Sequence, residues 1–210
     1  MMPGMKTPDY KLSLKILRKD PKMAALIKAH GAPEITKWHG NVSIFESLLR
    51  SIVYQQLSGK AAGTIHARVL AYFSGKPSPA ALLKISRPRL RKAGLSAQKV
   101  EYVRDLAKKS LDGTIDEKQF PKMSSQEIID HLVQVKGIGE WTAQMMLIFK
   151  LHRLDILPVG DLAIRNAFRD VYGLKKTPNK QAMEKIAAPW RAHASVASWY
   201  LWRSTDAKKK

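Results

Sequence analysis

The apolar positions of this chain recur with a helical period over most of its length. Phe45, Leu48, Leu49, Ile52, Val53 and Leu57 follow the i, i+3, i+4, i+7 spacing that lines one face of a helix, and strict apolar–polar alternation is scarce. The same spacing predicts further helices over about 61–73, 96–111, 125–135, 140–151, 162–172, 180–187 and 192–202. Local punctuation agrees: Ser124 followed by Glu127 reads as a capping box, and Thr177-Pro178 places a proline in the first turn of a helix. Pro77, Pro79, Pro88 and Pro121 divide the middle of the chain into short helices. With no internal repeat and no long linker, the pattern predicts an all-α fold of two packed helical lobes, with the cleft between them as the natural place for a site. One lobe is expected from about 10–44 plus 155–205 and the other from about 45–154, with loose ends at 1–8 and 206–210.

Charge then changes the picture. The chain carries 37 Lys and Arg against 17 Asp and Glu, a formal net charge of +20, which points to a polyanion, most often nucleic acid. Most of these cations must form a solvated surface. The absence of cysteine excludes disulfides, thiol nucleophiles, zinc knuckles and iron–sulfur clusters, and the six histidines show no paired-ligand spacing. His66, His131, His152 and His193 are therefore expected in structural or surface roles. The longest strongly apolar stretch, from Trp141 to Phe149, is too short to span a bilayer, and Met1 to Tyr10 lacks the apolar run of a secretory signal. The expectation is an intracellular protein, cytoplasmic or nucleoid-associated in a prokaryote and nuclear in a eukaryote, with no membrane partner.

Two segments carry chemistry. In Leu132-Val133-Gln134-Val135-Lys136-Gly137-Ile138-Gly139-Glu140-Trp141-Thr142-Ala143 a helix ends, a short turn follows and a second helix begins. Glycines at 137 and 139 permit positive φ and leave bare backbone N–H groups beside a helix N-terminus, a ready cradle for an anion. A tight helix–helix turn without a ligand would use the same residues. Downstream lies Leu157-Pro158-Val159-Gly160-Asp161-Leu162, where Asp161 is placed to cap a helix, a role that would by itself account for a carboxylate.

Taken together, the hairpin, the following helix and the Pro-x-x-Asp segment resemble the helix-hairpin-helix superfamily of DNA glycosylases. The resemblance runs from about Phe45 to Trp202 and is closest to the alkylbase branch, the 3-methyladenine DNA glycosylase II type. Phe45 to Ala62 looks like the family's minor-groove segment, Gly137 to Ala143 like its hairpin, and Trp190-Arg191 with Trp199-Tyr200 like its C-terminal helix. The resemblance implies a compact, monomeric, all-helical enzyme without the bacterial β-rich N-terminal domain. It would flip alkylated purines of the 3-methyladenine and 7-methylguanine class out of double-stranded DNA and hydrolyse the N-glycosidic bond in base excision repair.

Residue by residue, the resemblance makes Asp161 the catalytic carboxylate and Trp199 a wall of the base pocket; Tyr54, Trp141 and Tyr200 are further pocket candidates from their own chemistry, the last two with the core as an equal alternative. Gln56 would fill the gap in the duplex, where the family has a bulky aliphatic wedge. Gly137, Gly139 and Thr142 would bind phosphates through backbone N–H groups; Lys136, Arg165, Lys60 and Arg50 are candidates to join them from their proximity to the motifs. The carbonyls of Val133, Val135 and Ile138 would hold a structural Na+ or K+, and catalysis would need no cofactor. Lyase-competent relatives carry a lysine where this chain has Trp141, so no lyase step is expected.

Elementary chemistry fits these roles. A base inside a stacked duplex is unreachable, and alkylation weakens its pairing and stacking. The alkylated purine is a cationic leaving group, so one carboxylate that stabilises the oxocarbenium-like sugar suffices, and an indole face attracts the cationic ring. Trp38, Trp190 and Trp202 are expected in the core or between the lobes. Two other readings keep the same motifs: a non-catalytic helix-hairpin-helix DNA-binding protein, and a glycosylase for deaminated or oxidised bases.

Overall fold

The computed structural model describes residues 9–35 and 42–206. Among them the regular structure is helical throughout, with no strand. The helices are α1 (Lys11–Leu17), α2 (Pro21–His30), α3 (Ile44–Tyr54), α4 (Gly59–Leu70), α5 (Pro79–Lys84), α6 (Arg87–Lys92), α7 (Ala97–Leu111), α8 (Ser125–Leu132), α9 (Glu140–Phe149), α10 (Leu162–Tyr172), α11 (Lys180–Ala187) and α12 (Ala194–Asp206). Short 3-10 turns occupy Phe120–Lys122 and Ala188–His193. Trp38 and the ends expected to be loose, 1–8 and 207–210, lie outside the described residues; Asp206, assigned to the loose end, closes α12 instead, 3.6 Å from Arg203.

The described residues divide into two compact units, one formed by 42–146 and the other by 9–35 with 147–206. In the first, α3 packs on α4 and α7, and α5 and α6 pack on α7. The α3 stripe is buried as its spacing requires, with Leu48, Leu49, Ile52 and Val53 fully enclosed. Each such side chain contributes roughly 1.5–3 kcal/mol of hydrophobic stabilisation. Side-chain caps fix where the helices start. Ser43, Ser58, Ser78 and Ser96 each accept an amide of the first turn. The Ser124–Glu127 capping box closes α8 from both sides, at 3.2 and 2.7 Å.

In the second unit α12 packs against α10 and α2. Asp20 organises this core. One carboxylate oxygen caps α2 through the amides of Lys22 and Met23, and the other accepts the Tyr172 hydroxyl at 2.7 Å and the Trp190 indole N–H at 3.2 Å. Burial, followed by the adjacent carboxylate, pushes the Tyr172 phenol far above its ordinary range, so it stays protonated as a donor. Trp190 is fully buried, as base rates for tryptophan suggest. Proline placement differs from the expectation at one end: Asn179 caps α11 through the Ala182 amide at 2.9 Å, so Pro178 precedes the cap rather than occupying the first turn. The amide side chain captures a free helical donor, which proline cannot supply.

Candidate active site and nucleic-acid interface

The 42–146 unit carries the turn after α3. Helix α3 stops at Tyr54 because Gln55 takes ψ 132° and Gln56 takes φ +56°, the left-handed region that costs a non-glycine residue about 1–2 kcal/mol. Leu57, expected on the core face of α3, is thereby moved beyond the helix and is 41% exposed beside exposed Gln56. Three hydrogen bonds hold this turn. The Lys99 ammonium donates to the carbonyls of Val53 and Gln55, each at 2.7 Å, and the Gln55 side-chain amide donates to the Gly137 carbonyl at 2.8 Å. Tyr54 is engaged from two sides: the Arg50 guanidinium lies 4.1 Å over its ring and His66 meets its edge at 6.0 Å. Lys60 stands exposed in the first turn of α4.

The hairpin between α8 and α9 begins with the Lys136 amide, which donates to the Asp105 carboxylate at 2.8 Å. Lys109 reaches the same carboxylate at 3.0 Å. Burial alone would raise the pKa of Asp105; the Lys136 amide and Lys109 outweigh it and hold the carboxyl below its ordinary value. Gly137 has φ +81°, and a Cβ there would sit 2.1 Å from a ring carbon of Tyr102, so glycine is required twice over. Gly139 differs from the expectation, because it is not among the positive-φ residues and a Cβ there would meet nothing within 4 Å. Its freedom is not used by the fold. Neither glycine amide has an acceptor among the described residues, and both remain available to a ligand. Thr142 is half-buried in the first turn of α9, and Trp141 beside it is 52% exposed.

The other unit carries the carboxylate. Asp161 caps α10, with Oδ1 accepting the Ile164 amide at 2.9 Å and the Trp202 indole N–H at 3.2 Å. Trp202 stacks on Phe149 at 5.7 Å and 29°. Trp202, expected in the core or between the lobes, is half-buried with its polar edge on the candidate catalytic group. Trp199 is 7% exposed, with Tyr200 edge-on at 4.9 Å and the Arg203 guanidinium 5.8 Å over its ring. Tyr200, expected in either the pocket or the core, is fully enclosed and its hydroxyl donates to the Gly31 carbonyl at 2.7 Å. Arg165, in the first turn of α10, is half-buried. His193 bonds Ser13 at 2.9 Å and His131 bonds the Thr114 carbonyl at 3.1 Å, both structural partners.

The model of the HhH-GPD superfamily of base excision DNA repair proteins matches residues 49–192, a stretch that includes the α3 turn, the hairpin and Asp161. The chain belongs to this superfamily. It is 36% identical to the DNA-3-methyladenine glycosylase 1 of Schizosaccharomyces pombe over 77% of this chain and 72% of that one. The solved 3-methyladenine DNA glycosylase of the same yeast in complex with abasic DNA is similar at 31% identity and TM-score 0.76, covering 93% of this chain and 97% of that one. The DNA-3-methyladenine glycosidase of Bacillus halodurans is similar at 31% identity and TM-score 0.87, covering 98% and 95%.

Within this HhH-GPD chain, sequence reasoning missed Trp202, Gln55, Lys99, Tyr102 and Asp105. One signal was legible: Trp199 and Trp202 are three apart, which places both near one face of a helix. The contacts of Lys99 and Asp105 join residues far apart in sequence, and no spacing reports them.

Proposed function

We propose that this chain is a monofunctional DNA glycosylase that removes alkylated purines of the 3-methyladenine and 7-methylguanine class from duplex DNA. The observation that carries the reading is Asp161, held at the start of α10 by two N–H donors on one oxygen, in a chain whose relatives are named for this activity. An alkylated purine already bears positive charge. When the C1′–N bond breaks, its electron pair neutralises the base and leaves a cationic sugar. The Asp161 carboxylate stabilises that cation and orients a water, whose oxygen bonds to C1′ while its proton passes to the carboxylate or to solvent. Trp202 keeps the carboxylate in place through its indole N–H. The Trp199 indole offers an electron-rich face to the cationic base.

The 42–146 unit holds the DNA. Gly137, Gly139 and Thr142 present backbone amides to phosphates, Lys136 and Lys60 add charge, and Gln56, with Leu57 beside it, fills the gap left by the flipped nucleotide. The carbonyls of Val133, Val135 and Ile138 suit a Na+ or K+. Those of Val133 and Ile138 accept no backbone amide among the described residues, and that of Val135 accepts only the Ile138 amide, at 3.0 Å. Such an ion stiffens the hairpin and enters no chemical step. Trp141 supplies no amine, so no Schiff base forms and the abasic strand stays intact. Borohydride added to enzyme and end-labelled substrate should therefore trap nothing, and a trapped complex would refute the monofunctional assignment.

The decisive experiment is release of modified bases from methylated genomic DNA, read by mass spectrometry, with Asp161→Asn alongside. Asparagine caps a helix nearly as well as aspartate, so the variant should melt with the wild type. Its single-turnover excision should fall on the order of a hundredfold or more. Excision near the wild-type rate would sink the mechanism, and no released base from the wild type would favour the non-catalytic DNA-binding reading.

A further inference from the structure

The turn carrying Gln56 and the hairpin carrying Gly137 and Gly139 rest on one face of one helix. Along α7, Lys99, Tyr102 and Asp105 follow at three-residue intervals, each holding a different piece: Lys99 the carbonyls of Val53 and Gln55, Tyr102 the underside of Gly137, Asp105 the Lys136 amide. Gln55 closes the arrangement by bridging from the turn to the Gly137 carbonyl. Something must hold the turn, because Gln56 has a left-handed backbone that a side chain disfavours. Lys99 is suited to that task. Its ammonium is the only donor to either carbonyl among the described residues, and it sits at the C-terminal, negative end of α3. Burial lowers its pKa, consistent with an ammonium drawn out of solvent to serve the backbone.

We infer that Lys99 is a positioning residue for base flipping: it fixes the strained Gln56 turn against α7, in register with the phosphate-binding hairpin. Removing it frees the turn to relax while leaving the carboxylate untouched. The cost falls where the turn has a gap to fill, on duplex DNA, and not on single strands. This inference rests on the glycosylase reading above and on Gln56 as the gap-filling residue.

The test compares Lys99→Met, which keeps most of the apolar stem, and Lys99→Arg, which restores donors, with Gln56→Ala and the double variant Lys99→Met/Gln56→Ala. Single-turnover excision of an alkylated purine is measured on duplex and on single-stranded substrate, and amide hydrogen exchange is followed over 53–58. Lys99→Met should lose about tenfold on duplex and less than about twofold on single strands, with faster exchange confined to the turn, and Lys99→Arg should recover most of the loss. On the Gln56→Ala background the Lys99→Met change should add almost nothing, since both act through one element. Equal loss on both substrates, a fully multiplicative double variant or unaltered exchange at the turn would each overturn the inference. Failure of the underlying reading looks different: wild type that excises nothing removes the enzyme, and Gln56→Ala without a duplex-specific defect removes the gap-filling role, whatever Lys99→Met does.

Discussion

Gly137 and Gly139 stand two positions apart, and only Gly137 is required to be glycine by the fold. At Gly137 the backbone is left-handed and the Tyr102 ring occupies the place of any Cβ, so Gly137→Ala should destabilise the protein itself and lower its melting temperature by several degrees. At Gly139 nothing in the protein lies within 4 Å of an added Cβ. Gly139→Val should therefore leave melting nearly unchanged, yet weaken binding to damaged and undamaged duplex alike, since a backbone amide that meets a phosphate reads no base. Titration of both variants with abasic-site duplex and with intact duplex checks this; a Gly139→Val protein that binds normally would remove its amide from the interface. Sequence alone could not separate the two glycines, because what distinguishes them is the ring of Tyr102, brought in from α7.

Among the helices, the α3–α4 pair carries a pH-sensitive element. His66 on α4 lies edge-on to Tyr54, its Nε2 is buried without a partner, and burial together with nearby Arg50 lowers its pKa below the ordinary 6.5. The sign follows from proton counting. Between the lowered folded value and 6.5 the unfolded chain binds more protons than the folded one, so stability is full above about 6.5 and declines as pH falls through that window. His152, half-buried near Lys150 in the other unit, has a pKa lowered in the same direction, by burial and then by the Lys150 charge. Melting temperature should thus drop on acidification from neutrality, and His66→Gln should flatten part of that slope. A variant with the wild-type pH profile would show that His66 does not contribute. The sequence reading of α3 was right for its buried stripe and wrong at Leu57, because helical periodicity does not sense the turn at Gln55 and Gln56 that ends the helix.

At the scale of the whole molecule, the +20 charge governs the encounter with DNA. Each phosphate neutralised releases condensed counterions, contributing about −0.9 to the slope of log affinity against log salt. The proposed phosphate contacts from Lys60, Lys136 and Arg165 should give a slope of about −3, and replacing any one of them by methionine should flatten it by about 1 while weakening binding to all sequences uniformly. A salt series on abasic-site duplex measures this, and a flat response in the wild type would take nucleic acid out of the account.

What the sequence determined by itself was whatever depends on neighbours along the chain. Helical periodicity, the Ser124–Glu127 box, the hairpin glycines, the Asp161 cap and the net charge are all local or additive, and they suffice for an all-α basic chain suited to a polyanion, with a carboxylate at a helix start; the DNA-repair reading came from the resemblance of the motifs to a known family. Tertiary structure decided the rest. Trp202 became the partner of Asp161, Tyr200 turned inward to Gly31, and Lys99, Tyr102 and Asp105 became the bed for the Gln56 turn and the Gly137 hairpin. These roles depend on which side chains meet after distant segments pack, and a hydrogen bond such as that from Gln55 to Gly137 leaves no periodic trace in the chain that forms it.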